Sequence, residues 1–278
     1  PDLQGIVIVG DIDVDAVEAK LKTIFADVQK AVNPAERVYY PVADNKEPIV
    51  AIGTDKEVDD PSIEVYFKQD ATPDSEKNNV GYLASQYMTS MITSMLNARL
   101  SELTQSANPP FNRAYSSYGN FFVAKTKEAL NLSASSKANG IEEALKALLQ
   151  EAERARRFGF TESEYARARA NYLQRLESAY NEREKTKHGS YVREYVRNFL
   201  DAEPIPGIET EYAMMNQLAP NLPVQAINMA IQQLVPDSNQ VVIIAGPEKE
   251  GLKYPQKEEV IALLKGMKSL DLQPYVDK

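Results

Sequence analysis

Residues 80–103 read VGYLASQYMTSMITSMLNARLSEL, and this stretch decides the fold class of the chain. Its apolar residues recur at the three- and four-residue spacing of one helix face. A helix of this length makes roughly seven turns. The stripe includes Met88, Met91 and Met95, whose helical spacing is typical of a core rather than of an adaptable binding groove. We therefore predict a long, well-buried helix.

Short apolar segments on both sides of this helix predict β-strands. Two precede it, at residues 49–52 and 63–67, and the second alternates apolar with polar residues. Two more follow near residues 112–123 and 128–135, and a last one lies at 240–246. Strands interspersed with long helical stretches favour an α+β fold, with a mixed, mostly antiparallel sheet and helices packed on one face.

Helical spacing returns after the fourth strand. A helix starting at Ile141 should end at Gly159, a favoured C-cap residue, and Thr161 with Glu164 has the sequence of a capping box. The helix that follows should break near Gly189, where its apolar stripe lapses. Further helices are predicted at residues 209–218, 223–234 and 258–267.

The first 47 residues predict a boundary between two units. Residues 5–10, GIVIVG, have the pattern of a buried strand, and Asp13 is a fair N-cap for a following helix. The order strand, glycine, loop and helix recurs near residue 240, as a weak internal repeat. We therefore predict that residues 1–26 end a preceding domain, 27–47 form a linker and 48–278 form a complete domain.

Composition excludes several function classes. The net charge of −9 argues against a nucleic-acid partner, and no window approaches the ~18 uninterrupted apolar residues of a membrane helix. Cysteine is absent, and His188 is the single histidine, whereas zinc sites that cleave peptides usually take two or three. His188 as the base of a hydrolase would need a nucleophile for which no motif is present. We interpret it as a solvated helix residue.

The order of elements resembles the α+β domain of the insulinase/pitrilysin zinc peptidases and the mitochondrial processing peptidases. Residues 6–13 resemble the strand and turn that end an active domain. Residues 97–100, 114–117 and 241–247 resemble the end of the long helix, the next strand and the closing strand of the following domain. The likeness covers nearly the whole chain and looks closest to the second domain of the long bacterial members, which contain four such domains.

This resemblance implies a supporting role. Family members bind zinc through an H-x-x-E-H helix motif and a distant glutamate in the active domain. The motif is missing here, so we expect zinc in the parent protein, but no catalytic residue, metal ligand or cofactor in this chain. The expected partners are the other domains of the same polypeptide and the peptide substrate, with no membrane partner, in a periplasmic setting. A free-standing inactive scaffold subunit is the alternative.

Three residues are candidates for contacting that peptide: Arg113, Tyr115 and Tyr118. Arginine and aromatic side chains are enriched at interfaces. Some family members hold substrate with an arginine and a tyrosine in a non-catalytic domain, but the spacing of Arg113 and Tyr115 does not reproduce that pair. The competing interpretation is that all three pack on neighbouring strands.

Overall fold

The computed structural model of the chain describes residues 3–277. Its strands are β1 (Ile49–Asp55), β2 (Ser62–Asp70), β3 (Arg113–Asn120), β4 (Lys127–Ser135) and β5 (Gln240–Pro247). Its α-helices are α1 (Val14–Ile24), α2 (Val80–Thr104), α3 (Ile141–Phe158), α4 (Glu162–Asn181), α5 (His188–Asp201), α6 (Ile208–Asn221), α7 (Val224–Leu234) and α8 (Lys257–Gly266). Across this described range, no helix is both long enough and apolar enough to cross a membrane.

The five strands form one sheet in the order β1-β5-β2-β4-β3, so β1 and β3 are its edges. β1 runs parallel to β5, and the other neighbouring pairs are antiparallel. Side chains alternate between the two faces of a strand, so the register assigns each residue to one side of the sheet. The predicted mixed, mostly antiparallel sheet is confirmed.

One face of this sheet packs against helices and forms the hydrophobic core. Ile63, Val65 and Phe67 of β2 point to this side, with Leu130 and Leu132 of β4 beside them, and each is at most 2% exposed. Helices α2, α3, α7 and α8 contact the strands, whereas α4 packs on α2 and α6 packs on α4. The predicted α+β architecture, with its helices on one face, is confirmed.

Helix α2 is the central element of the core. Its bounds agree with the predicted stretch within one residue, and the Asn79 side chain caps its start by accepting a hydrogen bond from the Tyr82 backbone N–H at 3.0 Å. Its buried residues are Tyr87, Met91, Ile92, Met95, Leu96, Arg99 and Leu100. Two of the three methionines are thus buried, and Met88 packs against the core, as predicted.

Local capping signals are confirmed wherever they depend on residues close in sequence. Asp13 Oδ1 accepts a hydrogen bond from the Ala16 N–H at 3.0 Å and caps α1. Thr161 and Glu164 form the predicted capping box, and Gly159 ends α3 with a positive φ of 70°. The break predicted near Gly189 lies slightly earlier, since α4 ends at Asn181 and residues 182–187 separate it from α5.

The strand predicted at residues 5–10 is absent, and that prediction was wrong for the described chain. The backbone from residue 4 to residue 9 is neither helix nor strand, and Ile6 and Ile8 are 55% and 46% exposed. A strand needs a neighbour to bond its N–H and C=O groups, and none pairs with this segment within residues 3–277. The apolar run shows that the segment is hydrophobic, but it does not identify a neighbouring strand that could pair with it.

Candidate peptide-contact face

The three predicted contact residues lie on two different sides of the sheet. Arg113 and Tyr115 share one side of β3 and are exposed, Tyr115 by 49%. Tyr118 lies on the opposite, helix-packed side, and its hydroxyl donates to Glu128 Oε2 at 2.8 Å. Burial, reinforced by Glu128, raises the pKa of Tyr118 above its usual range. The structure therefore keeps Arg113 and Tyr115 together and separates Tyr118 from them.

Tyr115 belongs to a polar network on the side of the sheet opposite the core, which we call the outer face. In the register, Ser133 lies between Glu64 and Tyr115 on the three strands β2, β4 and β3. Glu64 accepts hydrogen bonds from the Ser133 hydroxyl and from the Asn131 side-chain amide, both at 2.7 Å. These bonds fix the carboxylate of Glu64 beside the exposed tyrosine.

An aromatic group continues this face toward the β3–β4 hairpin. The Tyr66 ring lies 5.4 Å from Phe121 and 5.2 Å from Phe122, centroid to centroid. Burial, together with the nearby Glu64 and Tyr115, raises the pKa of Tyr66 to about 12. Tyr66 therefore stays protonated at neutral pH and offers a hydroxyl donor near the Glu64 carboxylate.

The tip of this hairpin exposes apolar side chains beside the 27–47 segment. Phe122 has a left-handed φ of 53° and is 56% exposed, and Val123 is 95% exposed. A groove of about 500 Å³ separates the hairpin from residues 37–42, with Tyr39 and Tyr40 among its lining residues. An exposed aromatic residue held in an unfavourable backbone conformation is uncommon in a loop that serves only to connect strands.

Two buried lysines bind residues 43 and 44 to the end of the outer face. Lys127 bridges Asp44 and Asp70, at 2.6 Å from the former, and Lys68 donates to the Ala43 carbonyl at 2.7 Å. Burial lowers the pKa of Lys127, but its hydrogen bonds to both carboxylates outweigh that effect and raise it. Burial and the charge of Lys127 lower the pKa of Lys68. The segment therefore lies against the sheet just before β1 begins.

Asn97 of α2 protects the free edge of β3. Its Oδ1 accepts from the Ser116 N–H at 2.6 Å, and its Nδ2 donates to the Ser116 carbonyl at 3.1 Å. Since β4 is the only sheet neighbour of β3 among residues 3–277, these two main-chain groups point away from the sheet. Asn97 thus occupies positions that an added strand would use.

Replacing Asn97 with alanine should lower the free energy of unfolding by about 1–3 kcal/mol, because Ser116 is buried and its N–H would lose its acceptor. Urea denaturation of the purified chain measures this loss. Asn171→Ala, at an exposed position on α4, is the matched control and should change stability by less than about 0.5 kcal/mol. Equal effects of the two substitutions would contradict the capping role of Asn97.

The residues present do not fit a zinc site. His188 is exposed at the start of α5, and within residues 3–277 no group of three or more histidine, aspartate and glutamate side chains is arranged to hold a metal ion. No serine, aspartate or glutamate side chain is hydrogen-bonded to His188 in the described part of the chain, so its geometry is that of a solvated residue.

Replacing His188 with alanine should leave the free energy of unfolding within about 0.5 kcal/mol of the original value, since the side chain is exposed. Calorimetric titration with Zn²⁺ should give the same weak, non-stoichiometric heats before and after the substitution. Tight 1:1 zinc binding that disappears with His188 would contradict this interpretation.

Sequence reasoning missed Glu64, Asn131 and Ser133 as parts of the outer face. The alternation of residues 63–67 placed Glu64 opposite the apolar residues, which was the available signal. The partnership with Asn131 and Ser133 depends on the pairing of β2 with β4, which spans more than sixty residues of chain.

Comparisons with known proteins agree with this architecture. The sequence matches the family description "Peptidase M16 inactive domain" over residues 1–172. A protein named zinc protease PQQL-like, from Arabidopsis thaliana, is 26% identical over 231 residues, which are 83% of this chain and 21% of that protein. The chain therefore spans about a fifth of the curated relative that it matches.

Solved structures share the fold. The first half of the periplasmic protease PqqL from Escherichia coli superposes with a TM-score of 0.81 at 21% identity, covering 96% of this chain and 56% of that one. An insulinase family protease from Yersinia pestis gives a TM-score of 0.76 at 10% identity, covering 93% and 54%. In both cases the chain accounts for little more than half of the compared structure.

Proposed function

Because the chain belongs to the peptidase M16 inactive-domain family, we propose that it is the non-catalytic domain of a zinc metalloendopeptidase, which helps to enclose the peptide substrate and docks to sister domains. The observation that carries this proposal is the pairing of the family fold with a described chain that offers no metal-ligand set. In such a protein, zinc and the catalytic glutamate belong to another domain.

The N-terminal segment supports docking. Helix α1 has no buried residue, and eight apolar side chains of residues 3–28 are exposed. These are Leu3, Ile6, Ile8, Ile12, Val14, Ile24, Phe25 and Val28. A contiguous exposed apolar surface is typical of an interface. We propose that residues 1–26, which include helix α1, close a preceding domain, that 27–47 form a linker and that 48–278 form the domain proper.

The outer face supports contact with peptide. Arg113, Tyr115 and Tyr66 combine a cation, an exposed ring and a hydroxyl donor, and Glu64 adds a carboxylate held in place by two hydrogen bonds. Tyrosine and arginine are enriched among the residues that contribute most to binding at interfaces. Tyrosine also supplies a large contact area at a low cost in conformational entropy. Tyr118 retains a supporting role from the helix side, where its hydroxyl bonds Glu128. The periplasmic setting of the Escherichia coli relative supports a periplasmic location here.

In the full-length protein that carries this domain, Tyr115→Ala should raise KM for a peptide substrate about fivefold, equivalent to about 1 kcal/mol, with kcat unchanged. The reason is that Tyr115 would touch substrate far from the zinc and contribute equally to ground and transition states. Tyr195→Ala is the matched control, because Tyr195 is 41% exposed and lies on α5, not on a strand of the sheet. Equal KM values for both variants would argue against peptide contact by the outer face.

A further inference from the structure

The two edges of the sheet differ in how they are protected. On β3, the Asn97 side chain forms hydrogen bonds with the outward N–H and C=O groups of Ser116. β1 forms the other edge, and β5 is its single sheet neighbour within the described chain. In the described part of the chain, no side chain bonds the main chain of β1 on its outer side. Natural proteins usually blunt an exposed edge with a proline, a lysine or a covering element.

β1 has the features of a strand able to accept a neighbour. It is seven residues long, and Ile49–Thr54 contains neither proline nor a charged residue. The Glu248 N–H donates to the Asp55 carbonyl at 3.0 Å, which fixes the odd-numbered residues of β1 as those bonded to β5. The N–H and C=O groups of Val50, Ile52 and Thr54 therefore point outward, without a partner strand among residues 3–277.

The side chains around this edge define what a partner strand would touch. Ile49, Ala51 and Gly53 lie on the outer face and are exposed, and the neighbouring Ile243 of β5 extends them into an apolar strip. A side chain added at Gly53 would meet no atom within 4 Å, so space is open above the strand. A partner with small or β-branched residues at alternate positions would fit this strip.

Charge distinguishes the two ends of β1. Its carboxyl end leads into Asp55–Asp60, which has four exposed carboxylates and one lysine. None of these carboxylates forms an ion pair within the described residues. At the other end, Glu47 is already paired with Lys265 at 2.6 Å, and Lys46 adds a positive charge. A strand with basic residues beside Asp55–Asp60 would be complementary to the acidic end of β1.

We propose that the β1 edge binds an extended peptide segment of a partner protein by adding it as a sixth strand, with basic residues of the segment beside Asp55–Asp60. Main-chain hydrogen bonds to Val50, Ile52 and Thr54 supply most of the affinity, and the acidic turn selects the basic end. The inference goes beyond the proposed function, because it depends on the β1 edge alone and not on the Arg113–Tyr115 surface or on membership of a protease.

Two labelled heptapeptides of alternating Thr and Val test this proposal, one with two lysines at its amino end and one with them at its carboxyl end. Fluorescence anisotropy with the intact chain should show saturable binding of one peptide, which also tells whether the added strand is antiparallel or parallel. Versions with glutamates in place of the lysines should bind at least tenfold more weakly. A version N-methylated at alternate residues should not bind, because it lacks the amide donors while the protein is unchanged.

Variants of the protein provide a second test of strand addition at β1. Thr54→Pro removes an outward N–H and should weaken binding at least tenfold, whereas Thr54→Val keeps that N–H and should bind within twofold of the original. Asp59→Lys should weaken binding of the lysine peptide, and Glu36→Lys, which changes net charge equally in the 27–47 segment, should not. Circular dichroism confirms that each variant is folded.

Three outcomes would overturn the proposal. The first is no binding of either lysine peptide up to about 1 mM. The second is equal binding by the N-methylated peptide, or by folded Thr54→Pro. The third is a dimer in analytical ultracentrifugation that Thr54→Pro dissociates, which would assign the edge to a second copy of this chain instead of a partner segment. None of these outcomes bears on the KM test of Tyr115, so the two proposals fail separately.

Discussion

Replacing Glu164 with alanine should lower the free energy of unfolding by about 3–5 kcal/mol, because it leaves the buried Arg99 without its counter-charge. The two side chains are 4% and 1% exposed and form a bidentate pair, with Nε–Oε1 at 2.7 Å and Nη2–Oε2 at 2.9 Å. Glu164 also accepts from the Thr161 N–H at 2.8 Å as part of the capping box. The substitution therefore removes a charge partner and a helix cap together.

Besides Glu164, Arg99 is bonded to the Gly159 carbonyl, which accepts from Nη2 at 3.0 Å but supplies no counter-charge. Its guanidinium lies 4.8 Å from the Phe160 ring and 4.3 Å from the Tyr275 ring, and Nη1 has no hydrogen-bond partner among residues 3–277. Urea denaturation measures the effect, and Glu162→Ala, exposed in the same helical turn, should cost less than about 1 kcal/mol. A loss below about 1 kcal/mol for Glu164→Ala would show that the pair is not a buried structural contact.

Leu96→Ala is expected to lower the free energy of unfolding by about 2–5 kcal/mol, because it removes a fully buried side chain from the middle of α2. The loss combines the transfer free energy of the deleted methyl and methylene groups with the cavity that they leave. Leu96 belongs to the cluster that joins α2 to the sheet and to α3 and α7. Little relaxation of such a packed layer is expected, which places the loss in the upper part of the range.

Thermal and urea unfolding of Leu96→Ala should be compared with Gln86→Ala, an exposed position on the same helix. The control should change stability by less than about 0.5 kcal/mol, since glutamine and alanine have similar helix propensities. Equal stability of the two variants would mean that α2 is not the central element of the core, contrary to the pattern of residues 80–103.

The sequence was most informative where structure depends on neighbours along the chain. Periodicity predicted α2 within one residue, and the side chains of Asp13 and Thr161 cap their helices by accepting from backbone N–H groups three positions away. The failed strand at residues 5–10 has the right apolar pattern, but a pattern contains no information on whether a partner strand is present. Local sequence signals therefore predicted helices and strands, but not which strands pair with each other.

The candidate site depends on long-range pairing, which explains what was missed there. Arg113, Tyr115 and Tyr118 looked equivalent in the sequence, yet Tyr118 falls on the opposite side of β3 because it lies an odd number of positions from Tyr115. The Arg99–Glu164 pair joins residues 65 positions apart, and the capping-box signature of Glu164 gives no information about Arg99. Such contacts follow from the register of β2, β3 and β4 and from the packing of α2 on α4.

The central claim is that this chain supports a zinc peptidase without performing its chemistry. The most direct test measures zinc content and peptide hydrolysis of the purified chain side by side with the full-length protein that carries it. We expect zinc and activity in the full-length protein and neither in the chain alone. Stoichiometric zinc and peptide cleavage by the chain alone would contradict this account. His188 and nearby carboxylates would then be the first residues to test as zinc ligands.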